Sequence, residues 1–162
     1  MLWLIDTNIT IRGMDRKDPR SRLARRAIIE LRRQGNVLCL ATQNLVEFWA
    51  VATRPVDANG LGMSIEWAAS QREWMKHFFK VLADGPEDYS EWERLVVQHR
   101  VSGKPAHDAR LVAVMKAHGI THILTFNVQH FVRYGDVTAV SPQEVVTPDE
   151  YVSPYRHSSS RV

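Results

Sequence analysis

Met1-Leu-Trp-Leu-Ile-Asp-Thr-Asn8 runs from a short apolar stretch into a carboxylate followed at once by two small polar residues. Leu2 to Ile5 does not alternate apolar with polar, so it reads as a strand buried on both faces, the pattern of a parallel sheet covered by helices on each side. Asp6 ends that strand. In open parallel sheets, the crevice where ligands bind lies outside the carboxyl ends of the strands, so Asp6 is placed where chemistry is done.

The rest of the chain alternates in the same sense. A polar, basic connection leads to Leu23, Ala27, Ile28 and Leu31, which recur at helical spacing and end near Gly35. Val37 to Leu40 is a second apolar run, and Thr42 offers an N-cap for a helix with Leu45, Phe48, Trp49 and Ala52 on one face. The Arg54 to Gly62 stretch, rich in Gly, Pro and Asn, separates it from a helix capped by Ser64 and running through Trp67, Trp74 and Phe78. Phe79 to Leu82 is a candidate third strand. Gly85-Pro86 breaks the chain before a helix over Asp88 to Arg100, and Ser102 to Pro105 forms a second loop. A helix from His107 to His118 then ends at Gly119, and Thr121 to Thr125 returns to strand. Strands separated by helices predict right-handed βαβ units in an α/β fold. The five tryptophans read as core. Residues 1–150 read as one domain, and residues 151–162, which lack apolar content around His157 to Ser160, as a flexible C-terminal tail.

A chain of 162 residues suits one domain with one core. Cys39 is the only cysteine, which excludes an intrachain disulfide and a cysteine-based metal site and suits a reducing cytoplasm. No apolar run approaches membrane-spanning length, and Met1 to Ile5 is too short for a signal-peptide core, so the chain is expected to be cytoplasmic with no membrane partner. The net charge of +3 is uneven: nine Lys and Arg residues between Arg12 and Arg33 face only Asp15, Asp18 and Glu30.

Three acids stand at matching places. Asp6 and Asn127 follow predicted strands, Glu47 falls in the first turns of the helix after the second strand, and Asp108 begins the helix after the Ser102 to Pro105 loop. All four can point at one sheet edge. Taken one at a time, Glu47 also fits a solvated helix face, Asp108 a helix cap, and Asp6 an Asx-turn. Together, carboxylates crowded at one edge need compensating cations to stay ionised, and hard oxygen donors select Mg²⁺ or Mn²⁺. Such an ion assists phosphodiester cleavage. His99, His107, His118 and His122 lack zinc-like spacing and read as structural or surface residues.

Ile5-Asp-Thr-Asn8, Thr42-Gln-Asn-Leu-Val-Glu-Phe48, Val101-Ser-Gly-Lys-Pro-Ala-His-Asp-Ala-Arg-Leu111 and Ile123-Leu-Thr-Phe-Asn-Val-Gln-His-Phe131 together resemble the PIN-domain proteins, closest to VapC-type ribonuclease toxins. The order and spacing hold from Met1 to about Pro148. The resemblance implies a three-layer α/β/α sandwich with a central parallel sheet and an endoribonuclease that uses Mg²⁺ or Mn²⁺. It maps the family's first three acids onto Asp6, Glu47 and Asp108, and its polar helpers onto Thr7, Asn8 and Thr125. It also implies a cognate antitoxin protein, a homodimer and an RNA substrate, with Arg12, Arg22, Arg25 and Arg26 as candidate RNA contacts. The chain departs from the pattern in the last segment, where many relatives place an acid at one or both positions held here by Asn127 and His130. Asn127 can still bind a metal or its water through the amide oxygen, and His130 is a phosphate-facing group, a general acid or a surface residue.

Two functions stay open at this point. One is a metal-dependent ribonuclease toxin with Asp6, Glu47, Asp108 and Asn127 at its centre. The other is a catalytically weak or inactive PIN-fold module that binds RNA or forms complexes through the basic segment. A phosphatase-like fold would want a second acid where Asn8 stands, and no glycine-rich turn follows the first strand to suggest a dinucleotide site.

Overall fold

The computed structural model describes residues 1–146. Five parallel strands form one sheet in the order β3-β2-β1-β4-β5. They are β1 (Leu2–Ile5), β2 (Val37–Ala41), β3 (Lys80–Leu82), β4 (His122–Leu124) and β5 (Thr138–Val140). The first strand sits in the middle, pairing Trp3 with Leu38 on one side and with His122 on the other.

The non-alternating runs are explained by what covers each face. Trp3, Ile5, Leu38, Leu40 and Leu124 point to one side. There they meet α1 (Thr7–Met14), α2 (Ser21–Arg33), α3 (Thr42–Thr53) and α4 (Ile65–Phe78) through Ile9, Ala27, Leu31, Phe48, Ala52 and Met75. Leu4, Cys39, Ala41 and Ile123 point to the other side and meet α5 (Pro86–Gln98) and α6 (Pro105–Ala117) through Leu95, Val112 and Met115. Period-2 side-chain alternation thus divides each strand between two cores, and both cores demand apolar residues. The result is the expected three-layer α/β/α sandwich. Among the described residues, no helix is long and apolar enough to cross a membrane. The expected tail at residues 151–162 lies outside the described residues.

The structure departs from the sequence reading at several places. The basic connection after Asp6 begins with helix α1, whose N-cap is Asp6 itself and whose Thr7, Ile9, Thr10 and Gly13 are buried. Its polar, charged sequence hides a short buried stripe. Thr42 is the first residue of α3 rather than its cap, and its hydroxyl has no partner; instead the Asn44 side chain accepts from the Ala41 N–H at 2.8 Å. The short strand β5 and helix α7 (Pro142–Val145) had no sequence signal strong enough to read, because no residue of β5 and only Pro142 of α7 is fully buried. Finally, Trp74 is not core: it is 49 % exposed and stacks on Phe78. Helices α5 and α6 also begin earlier than their apolar pattern, at Pro86 and Pro105, since proline is favoured at the first helical position.

Candidate active site

Asp6, Thr7, Asn8, Glu47, Asp108, Asn127 and His130 line one cavity of about 450 Å³ at the carboxyl edge of the sheet. The fold brings them there for separate reasons. Asp6 leaves β1 and caps α1, Glu47 lies on α3 directly after β2, Asp108 is in the first turn of α6, and Asn127 follows β4. Thr125 lies beneath the cavity, fully buried.

Asp6 is held by its neighbours on two strands. Its Oδ2 accepts from Asn8 Nδ2 at 2.7 Å and from Thr125 Oγ1 at 2.6 Å. Asn8 in turn accepts from the Phe126 N–H at 3.2 Å, and Thr125 from the Asn127 N–H at 2.9 Å, so the exits of β1 and β4 are bolted together. Burial pushes the Asp6 carboxyl up from 3.8 to about 6; Thr125 and Asn8 oppose the rise, and the nearby Asp108 and Glu47 charges add to it. Asp108 is also raised, first by burial and further by Glu47, against the lowering effect of His130. His130 Nδ1 lies 3.1 Å from Asp108 Oδ2.

Glu47 accepts from Thr7 Oγ1 and from Gln43 Nε2, each at 2.7 Å. Buried Asn44 supports this pair from below by donating to Thr7 Oγ1 at 2.9 Å. Sequence reasoning missed Gln43 and Asn44 as site residues, although both stand in the Thr42 to Phe48 segment; the signal available was two amides on the buried side of an apolar helix. It also missed Arg54, Lys104 and His107, which line the cavity rim.

The four arginines proposed as RNA contacts are not part of this cavity. Arg12 pairs with Asp18 at 2.7 Å and lies over the Phe126 ring, and Arg25 donates to the Gly13 carbonyl at 3.1 Å. Arg22 and Arg26 stand on α2. Arg25 instead lines a larger cavity, about 640 Å³, with Arg16, Lys17, Trp67 and Trp74, which shares no residue with the acidic one.

As the side chains stand, no group of three His, Cys, Asp or Glu residues among the described residues is gathered closely enough to hold a metal ion. Each carboxylate is instead tied to hydroxyl, amide or imidazole partners. The donor set nevertheless fits a hard divalent cation: three acids and an amide oxygen share one cavity, and burial, with the neighbouring acids adding to it, pushes two of the acids toward protonation.

A sequence profile of the family described as PIN domain matches residues 3–137. Among curated protein sequences none matches the chain. Solved structures with the same fold include VapBC-1 from nontypeable Haemophilus influenzae, at 17% identity and a TM-score of 0.67 over 88% of this chain and 99% of that one. A toxin-antitoxin complex from Klebsiella pneumoniae matches at 20% identity and 0.58, over 87% and 98%. VapC20 from Mycobacterium tuberculosis, a sarcin-ricin loop cleaving toxin, matches at 20% and 0.54, over 75% and 86%.

Proposed function

The chain belongs to the PIN-domain family, and from that premise we propose that it is a Mg²⁺- or Mn²⁺-dependent endoribonuclease acting in the cytoplasm as the toxin of a toxin-antitoxin pair. The observation that carries the reading is the single cavity in which Asp6, Glu47, Asp108 and Asn127 meet, with burial and mutual repulsion raising the Asp6 pKa to about 6. These four residues would hold the ion. When bound, it supplies a water of lowered pKa and a counter-charge for phosphodiester hydrolysis.

The chain's own groups prepare that site. Asn8 and Thr125 fix the direction of the Asp6 carboxylate, while Thr7 and Gln43 fix that of Glu47. His130 turns a ring nitrogen toward Asp108. At the rim, Arg54 and Lys104 are exposed and make no ion pair among the described residues, so both are available for phosphates on either side of the cleaved bond. The antitoxin is part of the same proposal, supported by a protein of this fold solved as a toxin-antitoxin complex; the homodimer enters it only through the family resemblance.

One observation favours a second reading. Every carboxylate already has a partner within the protein, and Asn127 and His130 stand where an additional acid is common, which suits a PIN-fold module that binds RNA or a partner without cutting. Titrating Mn²⁺ while following both RNA binding and RNA cleavage separates the two. The nuclease reading expects metal-dependent products bearing 5′-phosphates, abolished by Asp108→Ala in a protein that stays folded. Equal activity without metal, or in that variant, sinks it; binding without product at any Mn²⁺ concentration selects the module.

A further inference from the structure

Gln43 lies one helical turn before Glu47 on α3 and is 6 % exposed. Its side-chain amide has three partners. Nε2 donates to Glu47 Oε1 at 2.7 Å and to the His107 carbonyl at 3.0 Å. Oε1 accepts from Arg110 at 3.2 Å, and the other terminal nitrogen of that guanidinium donates to Asp84, also at 3.2 Å.

Two consequences follow from the chemistry of these groups. His107 immediately precedes Asp108, so one amide joins the Glu47 carboxylate on α3 to the backbone of α6 at the residue before Asp108. The amide also has only one workable orientation. Rotated by half a turn, its oxygen would face a carboxylate and a carbonyl, which offer no proton, and its NH₂ would face a guanidinium, which offers no acceptor. Arg110 therefore sets which way Gln43 points, although its own side chain is 38 % exposed and outside the acidic cavity.

We propose that Gln43 is a positioning residue, oriented by Arg110, that fixes the Glu47 carboxylate relative to Asp108 for binding a divalent cation. This rests on the metal-dependent reading above. Hydrogen-bond partners of metal-ligating side chains are typically worth about 10–100-fold in metal affinity. Gln43 differs from a simple packing residue because its bonds end on the acid itself.

The test is Mn²⁺ binding, read from the electron paramagnetic resonance signal of free Mn²⁺, beside thermal melting and cleavage rate. Gln43→Leu keeps a similar volume and is expected to weaken Mn²⁺ binding by about 10-fold or more, and to slow cleavage at saturating RNA. Arg110→Met is expected to act in the same direction by less, with Arg110→Lys recovering part of the loss. Unchanged Mn²⁺ affinity in folded Gln43→Leu overturns the proposal while leaving the nuclease reading intact. If Gln43→Leu does not fold, Arg110→Met decides, because its side chain is half in solvent: unchanged affinity there overturns the proposal. Wild-type protein that binds no Mn²⁺ overturns both.

Discussion

At the residue scale, Asp6 carries a cost in the folded protein. Its folded-state pKa of about 6 lies above the ordinary 3.8, so the folded protein binds that proton more tightly than the unfolded chain does. The stability linked to this group is therefore complete below about pH 3.8 and is lost as pH rises to about 6. Asp6→Asn removes the repulsion. At pH 7 without metal it is expected to melt higher than wild type, by an amount on the order of 1–3 kcal/mol, with the two converging near pH 4. Cleavage should be absent at any pH. Calorimetry across that range checks the sign: a variant that melts lower than wild type at pH 7 would show that Asp6 is a structural cap first. The same titration makes metal binding weaken from pH 7 to pH 5, since a cation and a proton compete for the carboxylate.

At the element scale, the entry to α3 is organised by Asn44 rather than by the residue that looks like its cap. Asn44 is fully buried, accepts from the Ala41 N–H and donates to Thr7 Oγ1. Asn44→Ala leaves both buried groups short of a partner and is expected to cost about 2–4 kcal/mol, whereas Thr42→Ala, which removes an unpartnered hydroxyl, should change little. Denaturant melts of the two variants compare them directly, and equal losses would contradict this assignment. The contrast marks how far the sequence could be read. Strands β1, β2 and β4 were legible because their apolar residues are buried on both faces, and so was the placing of Asp6, Glu47 and Asn127, at the end of such a strand or in the helix beyond it, and of Asp108, after the loop that opens α6. Helix α1 was not, because of its buried residues Thr7, Ile9, Thr10 and Gly13 only Ile9 is a large apolar one, and β5 was not, because none of its three residues is fully buried. Gln43 and Asn44 escaped because a buried amide's role depends on partners 37 and 64 positions away. Arg12, Arg22, Arg25 and Arg26 lie outside the cavity lining, and charge in sequence says nothing of which face of the sandwich will carry it.

At the scale of the whole molecule, the lysine and arginine side chains that line the acidic cavity among the described residues are Arg54 and Lys104. Arg54 is held there by the turn that follows α3: the Gly62 N–H donates to its carbonyl at 2.8 Å, and Gly60 packs so closely that a Cβ would come within 2.0 Å of that same oxygen. Each phosphate contact on a single strand contributes about 0.7 to the slope of log affinity against log salt. Replacing both Arg54 and Lys104 by Ala should therefore lower that slope by about 1.4 in RNA-binding titrations. No change in slope would move the RNA path to another face, such as α2. The central place of β1 reaches further, into how the molecule comes into being. Thr7 meets Glu47 within the first third of the chain, but Asp6's partner Thr125 lies 119 positions on from Asp6, and β1 cannot be flanked on both sides until β4 is present. Contacts of such separation close late. A chain still emerging from the ribosome thus carries Asp6 and Glu47 before it has the Thr125 hydroxyl that orients Asp6, so the cavity takes its form only once β4 is made.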